Sequence, residues 1–307
     1  MSRPNLRPLL ANALLVAWAF VGFVPDASAT APIRREVDSG APGEHPAIVT
    51  RGDRPGIVIL SGLLGGVARM RPLADSLVAR GFRVMTIDPY RLSAESADVS
   101  FHGMAQEVAR AMERIKLGSA VVVAHAHASG IALRLAANAP DRVHELVLLE
   151  GGLLPTTRSA GVTRGLRTAQ VVARFPGGHA VLRTALAMGI RANSGNRLWL
   201  DDATAREYAD QLLADLPAVA RMVSRLAEAR EPETTTSLLR RLQAPTLILV
   251  GAAPHDFTPG ESELAGLAAL DAVRIERVPG VGHFVHEEAL PVVLRAIERA
   301  ESRRRVL

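Results

Sequence analysis

Five short apolar runs constrain this chain more than any other feature. They are GIVILSG (residues 56–62), FRVMTID (82–88), AVVVAH (120–125), HELVLLEGG (144–152) and APTLILVG (244–251). Each is rich in β-branched or aliphatic residues and is too short for a helix. Most are unbroken rather than alternating, the pattern of a strand covered on both faces. Helix-type periodicity separates them. MRPLADSLVARG (70–81) is expected to be a helix stopped at Gly81, and FHGMAQEVARAMERIKLG (101–118) an amphipathic helix ending at Gly118. Strands alternating with helices imply a parallel sheet with helices on both faces.

Two segments depart from that alternation. Residues 32–56 read as a Gly/Pro-punctuated lead-in with one or two short strands. Between Leu153 and about Leu242 only helical spacing is found, in LRTAQVVARF, AVLRTALAMGIRA, ATAREYADQLLADLPAVARMVSRLAEA and TTSLLRRL. This block falls between two strands, so it is expected to lie over their carboxyl ends, where open α/β sheets bind ligands. VRIERVPG (273–280) is a last, shorter strand, and EEALPVVLRAIERAE a closing helix.

Composition excludes several classes. Cysteine is absent, which removes disulfides, thiolate catalysis and Cys-based zinc sites. The net charge of +5 is carried almost wholly by arginine, Lys116 being the only lysine. No basic run stands out except Arg303–Arg305, and only 4% of residues are aromatic. That is a solvated surface rather than a nucleic-acid footprint. At the start, Arg3 and Arg7 precede an apolar run from Leu9 to Val24 and then Ala27-Ser28-Ala29. Positive, apolar, then A-x-A is the pattern of an export signal, and the run is short for a bilayer span of about 20 residues. The expectation is a periplasmic or secreted protein with no stable membrane span after cleavage. The alternative is an N-terminal anchor.

The order of these pieces resembles the α/β-hydrolase fold, a mostly parallel central sheet flanked by helices, here with an inserted helical cap. The similarity rests on ILSGLLGG, on the strand–turn–helix stretch VVVAHAHASGIALRLAANAPDRV, on APTLILVG with its following acidic loop, and on VPGVGHFVHEE. With 1–29 read as the signal peptide from its own pattern, the resemblance implies a core at 30–152 and 243–307 and a cap at 153–242. In such a fold the turn after AVVVAH is the nucleophile elbow, and its tip falls on Ala126, where a Ser, Cys or Asp is usual. Alanine cannot form an acyl-enzyme. The flanking Ala124 and Ala128 stand where glycines are common.

The resemblance also implies His283 as the base and Asp256, in GAAPHDFTPGE, as its acid partner. Glu150, at the end of the preceding strand, is the alternative acid. Backbone N–H groups of Leu63 and His127 would form the oxyanion hole. Ser129 is expected to face the sheet, not the pocket. His125 is expected to pack under the elbow. The His125-x-His127 pair is not expected to hold a metal, because a helix starts between the two residues. Tyr90 and Arg91 would narrow one side of the pocket. No metal or cofactor is expected, and the partner is a small-molecule substrate or ligand. The chemistry implied is His–Asp general-base action, without a serine, on a small ester-like or other carbonyl-containing molecule. The alternatives are a catalytically inactive small-ligand-binding protein and an engineered Ser-to-Ala form.

Overall fold

The computed structural model describes residues 35–37, 47–50, 52, 54–63, 66–151 and 160–304. The export-signal segment 1–29 and the start of the expected cap lie outside the described residues. Eight strands form one sheet: β1 (Arg35–Val37), β2 (Ala47–Thr50), β3 (Arg54–Leu60), β4 (Phe82–Ile87), β5 (Ala120–His125), β6 (Val143–Leu149), β7 (Thr246–Gly251) and β8 (Val273–Val278). Their order is β1-β2-β4-β3-β5-β6-β7-β8. The six strands from β4 to β8 pair in parallel, and β1 and β2 form an antiparallel edge.

The five apolar runs are the five central strands. Every residue of β5 and β7 is buried. Alternate side chains serve opposite faces, as the two-residue period of a strand demands. On one face Val58, Leu60, Val122, Ala124, Leu146 and Leu148 pack with the helices Phe101–Arg114 and Ser129–Asn138. On the other, Ile57, Ile59, Val121, Val123, Val147 and Leu149 pack with the helices Arg71–Val78 and Leu290–Arg304. A strand buried on both faces has no use for polar alternation, which is why these runs are unbroken in the sequence.

One helix end differs from the expectation. The helix beginning at Phe101 ends at Arg114, four residues before Gly118. Lys116 takes the left-handed conformation (φ 52°), and the Leu117 N–H donates to Met112 O at 2.9 Å. A hydrogen-bonded cap of this kind satisfies an end carbonyl before the glycine is reached. The long stretch ATAREYADQLLADLPAVARMVSRLAEA is two helices, Asp202–Ala214 and Leu216–Glu228. Pro217 cannot continue the first, and the Asp215 side chain caps the second by accepting from Ala218 N at 3.1 Å.

Between β6 and β7 the described elements are all helical: Ala160–Val172, Gly178–Ala192, Asp202–Ala214, Leu216–Glu228 and Thr235–Arg240. They have their own core of Leu166, Ala169, Leu182, Leu186, Ala209, Leu212 and Val223. Leu63, just past β3, packs against both this core and that of the sheet. A second cluster joins Ile190, Leu200, Ala205 and Tyr208 of these helices to Phe284, beside His283. The insertion therefore sits on the carboxyl end of the sheet. No helix among the described residues is long and apolar enough to cross a membrane.

Candidate functional site

The site is built at the carboxyl ends of β3, β5, β6 and β7. After β5 the chain turns sharply into a single 3-10 turn, Ala126–Ala128, and then the helix Ser129–Asn138. Ala126 at the tip has φ 49°. A non-glycine residue in this region costs about 1–2 kcal/mol. The strained elbow is therefore kept although its tip carries no hydroxyl. Ser129 does not replace it. Its Oγ is buried and lies where a Cβ on Gly151 would approach to 3.0 Å, facing the sheet.

His125 and His127 diverge across the elbow. His127 Nδ1 is 2.9 Å from Tyr90 Oη, and its ring meets Phe101 edge-on at 4.7 Å. Burial lowers its pKa to about 3, so the ring stays neutral. His125 goes the other way. Its Nε2 lies 3.1 Å from His283 O, and its ring is 4.5 Å from His286 and 4.9 Å from His283. Burial also lowers the His125 pKa, to about 4, which the contact with His283 O partly opposes. The two histidines share no ligand position.

The histidine loop after β8 is fixed by the inserted helices. His283 N–H donates to Asn193 O at 2.8 Å, and Asn193 Oδ1 accepts from Asp256 N at 2.9 Å. One carboxylate gathers the rest. Glu288 Oε2 accepts from the backbone N–H groups of Gly195 (2.8 Å), Asn196 (2.7 Å) and Gly282 (3.0 Å), and Oε1 from Phe284 (3.1 Å).

Close to His283 stands Glu150, the residue after β6, itself in the left-handed region (φ 53°). Its N–H donates to Leu249 O at 2.9 Å, which extends the β6–β7 ladder by one residue. Gly251 N–H donates to Glu150 Oε1, and Oε2 lies 2.9 Å from His255 Nε2. The other nitrogen of His255, Nδ1, lies 2.8 Å from Ala253 O. One ligand-type atom each from Glu150, His255 and His283 fall within 4.8 Å of one another. Burial, the main cause, pushes the Glu150 carboxyl up, with the His255 contact working against it. Burial opposes charge on His255, but the Glu150 carboxylate outweighs it and the His255 pKa is raised. The pair therefore retains a proton. His283 is held well below the ordinary histidine range by burial, then by His125, His255 and Arg69. It is a neutral imidazole at neutral pH.

The expected acid, Asp256, is not brought to His283. Asp256 is exposed, and among the described residues its carboxylate has no hydrogen-bond or ion-pair partner. The loop after β7 turns His255 inward instead, and the carboxylate beside the histidines is Glu150. His255 was not among the residues singled out from sequence. Its only signal was its place in GAAPHDFTPGE, one residue before Asp256.

The two expected oxyanion positions sit on neighbouring strand ends. Leu60 of β3 pairs with Ala124 of β5, so Leu63 and His127 each lie three residues past a paired position. Residues 64–65, which would complete that loop, lie outside the described residues.

Arg69 is the buried cation whose charge acts on His125 and His283. Its guanidinium lies 3.4 Å from the centroid of the Tyr208 ring and 3.6 Å from Glu287 Oε1, which also accepts from Tyr208 Oη at 3.0 Å. Burial lowers the Arg69 pKa to about 9, which leaves it charged at neutral pH.

Asp88, after β4, caps the turn Pro89–Leu92 by accepting from Tyr90 N and Arg91 N. Burial raises its pKa to about 6, against the pull of those two N–H groups. The folded state therefore binds this proton more tightly than the unfolded chain. Its stabilisation is complete below the unfolded pKa near 4 and is lost as pH rises through 6. Asp88→Asn keeps the capping oxygen and removes the charge. Its unfolding free energy at pH 7.5 is expected to exceed wild type by about 1–3 kcal/mol, a gain that vanishes by about pH 4. Urea unfolding at the two pH values measures it, and an equal gain at both would refute the assignment.

A capped parallel sheet with a strained elbow after β5 and a histidine loop after β8 defines a hydrolase-type α/β protein. The family described as alpha/beta hydrolase fold matches residues 55–290, and the chain belongs to it. The chain is 25% identical to the sn-1-specific diacylglycerol lipase of Mus musculus over 257 residues, 76% of each chain. Among solved structures it is similar to the meta-cleavage product hydrolase of Pseudomonas fluorescens IP01. There the TM-score is 0.63 and the identity 18%, covering 84% of this chain and 95% of that one. It is also similar to a thermophilic esterase from Thermogutta terrifontis, with TM-score 0.60 and identity 19%, covering 88% and 97%.

Proposed function

We propose that this chain is an exported hydrolase of small ester-like or other carbonyl-containing molecules that works without an acyl-serine intermediate. Water replaces the serine hydroxyl and is activated at the Glu150–His255–His283 cluster. The observation that carries this reading is the cluster itself, assembled beside an elbow that keeps its strain at Ala126. A neutral His283 can take a proton from water, and Glu150 rather than Asp256 is the carboxyl group placed beside it. Backbone N–H groups of Leu63 and His127 would face the developing oxyanion. Preorganised donors and binding alone still accelerate such reactions when a nucleophile is removed. The mouse relative is named for a lipid ester, so acylglycerols join short activated esters as test substrates. Export rests on residues 1–29, and recovery outside the cytoplasm of a chain beginning at Thr30 is the outcome that supports it.

The test compares wild type, Ala126→Ser and His283→Ala on that panel. Wild type is expected to turn over, and His283→Ala to lose about 100-fold or more. Turnover by Ala126→Ser alone would mean that the natural protein is a disarmed hydrolase. Silence in both wild type and Ala126→Ser would favour a ligand-binding protein instead. That second reading has one observation behind it, the missing hydroxyl at the elbow tip.

A further inference from the structure

We propose that Glu150, His255 and His283 form a binding site for a divalent first-row transition-metal cation of the zinc type. The inference deepens the reading that this cluster activates water, and it rests on that reading only for its chemistry. Two imidazoles and one carboxylate, with ligand atoms within 4.8 Å of one another, are a donor set that holds zinc with a position left open. The three come from separate strand ends: Glu150 follows β6, His255 follows β7 and His283 follows β8.

The hydrogen bonding of His255 is the sharper argument. Its Nδ1 lies 2.8 Å from Ala253 O, a group that only accepts, so Nδ1 carries a proton. In a neutral ring Nε2 then offers a lone pair. Yet Nε2 sits 2.9 Å from Glu150 Oε2, another acceptor. Two acceptors at that distance need a positive particle between them, either a proton or a metal cation. A histidine whose far nitrogen donates to a backbone carbonyl while the near one faces a carboxylate has the outer support typical of a metal ligand. Gly251 N–H gives Glu150 Oε1 the same support.

His283 supplies the third donor. Its Nδ1 is buried and has no hydrogen-bond partner among the described residues. Burial keeps the ring neutral, the form that ligates. The nearest fixed cation, Arg69, is engaged by Glu287. Three protein ligands would leave a four-coordinate ion one position for water, and with the ion bound it is the metal, in place of His283 as a free base, that activates this water. That water gives up a proton to solvent, and the resulting hydroxide adds to the carbonyl carbon of the ester. The ester C–O bond then breaks, and the departing alkoxide takes up a proton, so ester and water yield acid and alcohol.

The test is calorimetric titration of zinc chloride into the full, metal-stripped protein at pH 7.5. The expected result is one saturable site per chain. Glu150→Gln and His255→Gln are each expected to weaken binding at least 100-fold, while His102→Gln, on a helix away from the site, leaves it unchanged. The stoichiometry is read on wild type and needs no variant to fold. Absence of binding, or binding indifferent to both ligand variants, would overturn the site. Should zinc fail to bind while His283→Ala still abolishes turnover, the cation is wrong and the water-activation reading stands. Should zinc bind at this site with no turnover of any ester, the reverse holds.

Discussion

Glu288→Ala is expected to lower the unfolding free energy by about 3–5 kcal/mol. The Glu288 carboxylate accepts four backbone N–H groups from two parts of the chain that are far apart in sequence. Gly195 and Asn196 belong to the inserted helical region, and Gly282 and Phe284 flank His283. Hydrogen bonds to a charged acceptor contribute about 1.5–3 kcal/mol each, and water entering the truncated site recovers part of the total. For a domain of this size the melting temperature should fall by about 6–15 °C. Glu288→Gln keeps one acceptor oxygen and should lie between. Thermal and urea melts of the three proteins decide it. A Glu288→Ala protein within 1 kcal/mol of wild type would mean that this carboxylate is not what joins the helical insertion to the histidine loop.

The second large effect is expected at Gly251. A Cβ there would lie 2.2 Å from Gly282 O and 2.5 Å from Val281 O. Both are main-chain atoms, so no side chain can swing aside. Gly251→Ala must push the histidine loop off the end of β7, at a cost of about 3 kcal/mol. The same shift draws His283 away from Glu150 and His255, so whatever turnover the protein has should fall with stability. Gly266→Ala is the control. Nothing lies within 4 Å of a Cβ at that position, inside the helix Glu261–Ala268. There alanine should be neutral or stabilising by up to about 1 kcal/mol. If the two variants melt alike, close backbone approach is not what Gly251 provides.

The strands were legible because burial on both faces writes itself as unbroken aliphatic runs, and order alone then gave the fold. The elbow was legible for the same reason: AVVVAH followed by a helix fixes position 126 whatever residue stands there. The carboxylate was harder to read. Asp256 and Glu150 both follow strands, and choosing between them needs the path of GAAPHDFTPGE, which no periodicity encodes. His255 turns inward and Asp256 outward because Asn193 holds the Asp256 backbone N–H. That contact arrives from the inserted helices, more than sixty residues away. Glu288 was visible only as an acidic follower of His283. Its role depends on the Gly195–Asn196 backbone, again a partner distant in sequence.

The elbow has one more implication, and it is evolutionary. A glycine at 126 would relieve the φ of 49° and leave no direction for a side chain to grow. Alanine retains the Cβ, and with it the vector along which a longer side chain would extend. Serine at this position adds one oxygen atom to a backbone already bent to receive an L-residue. A hydroxyl at the tip is thus one substitution away and needs no rebuilding of the turn.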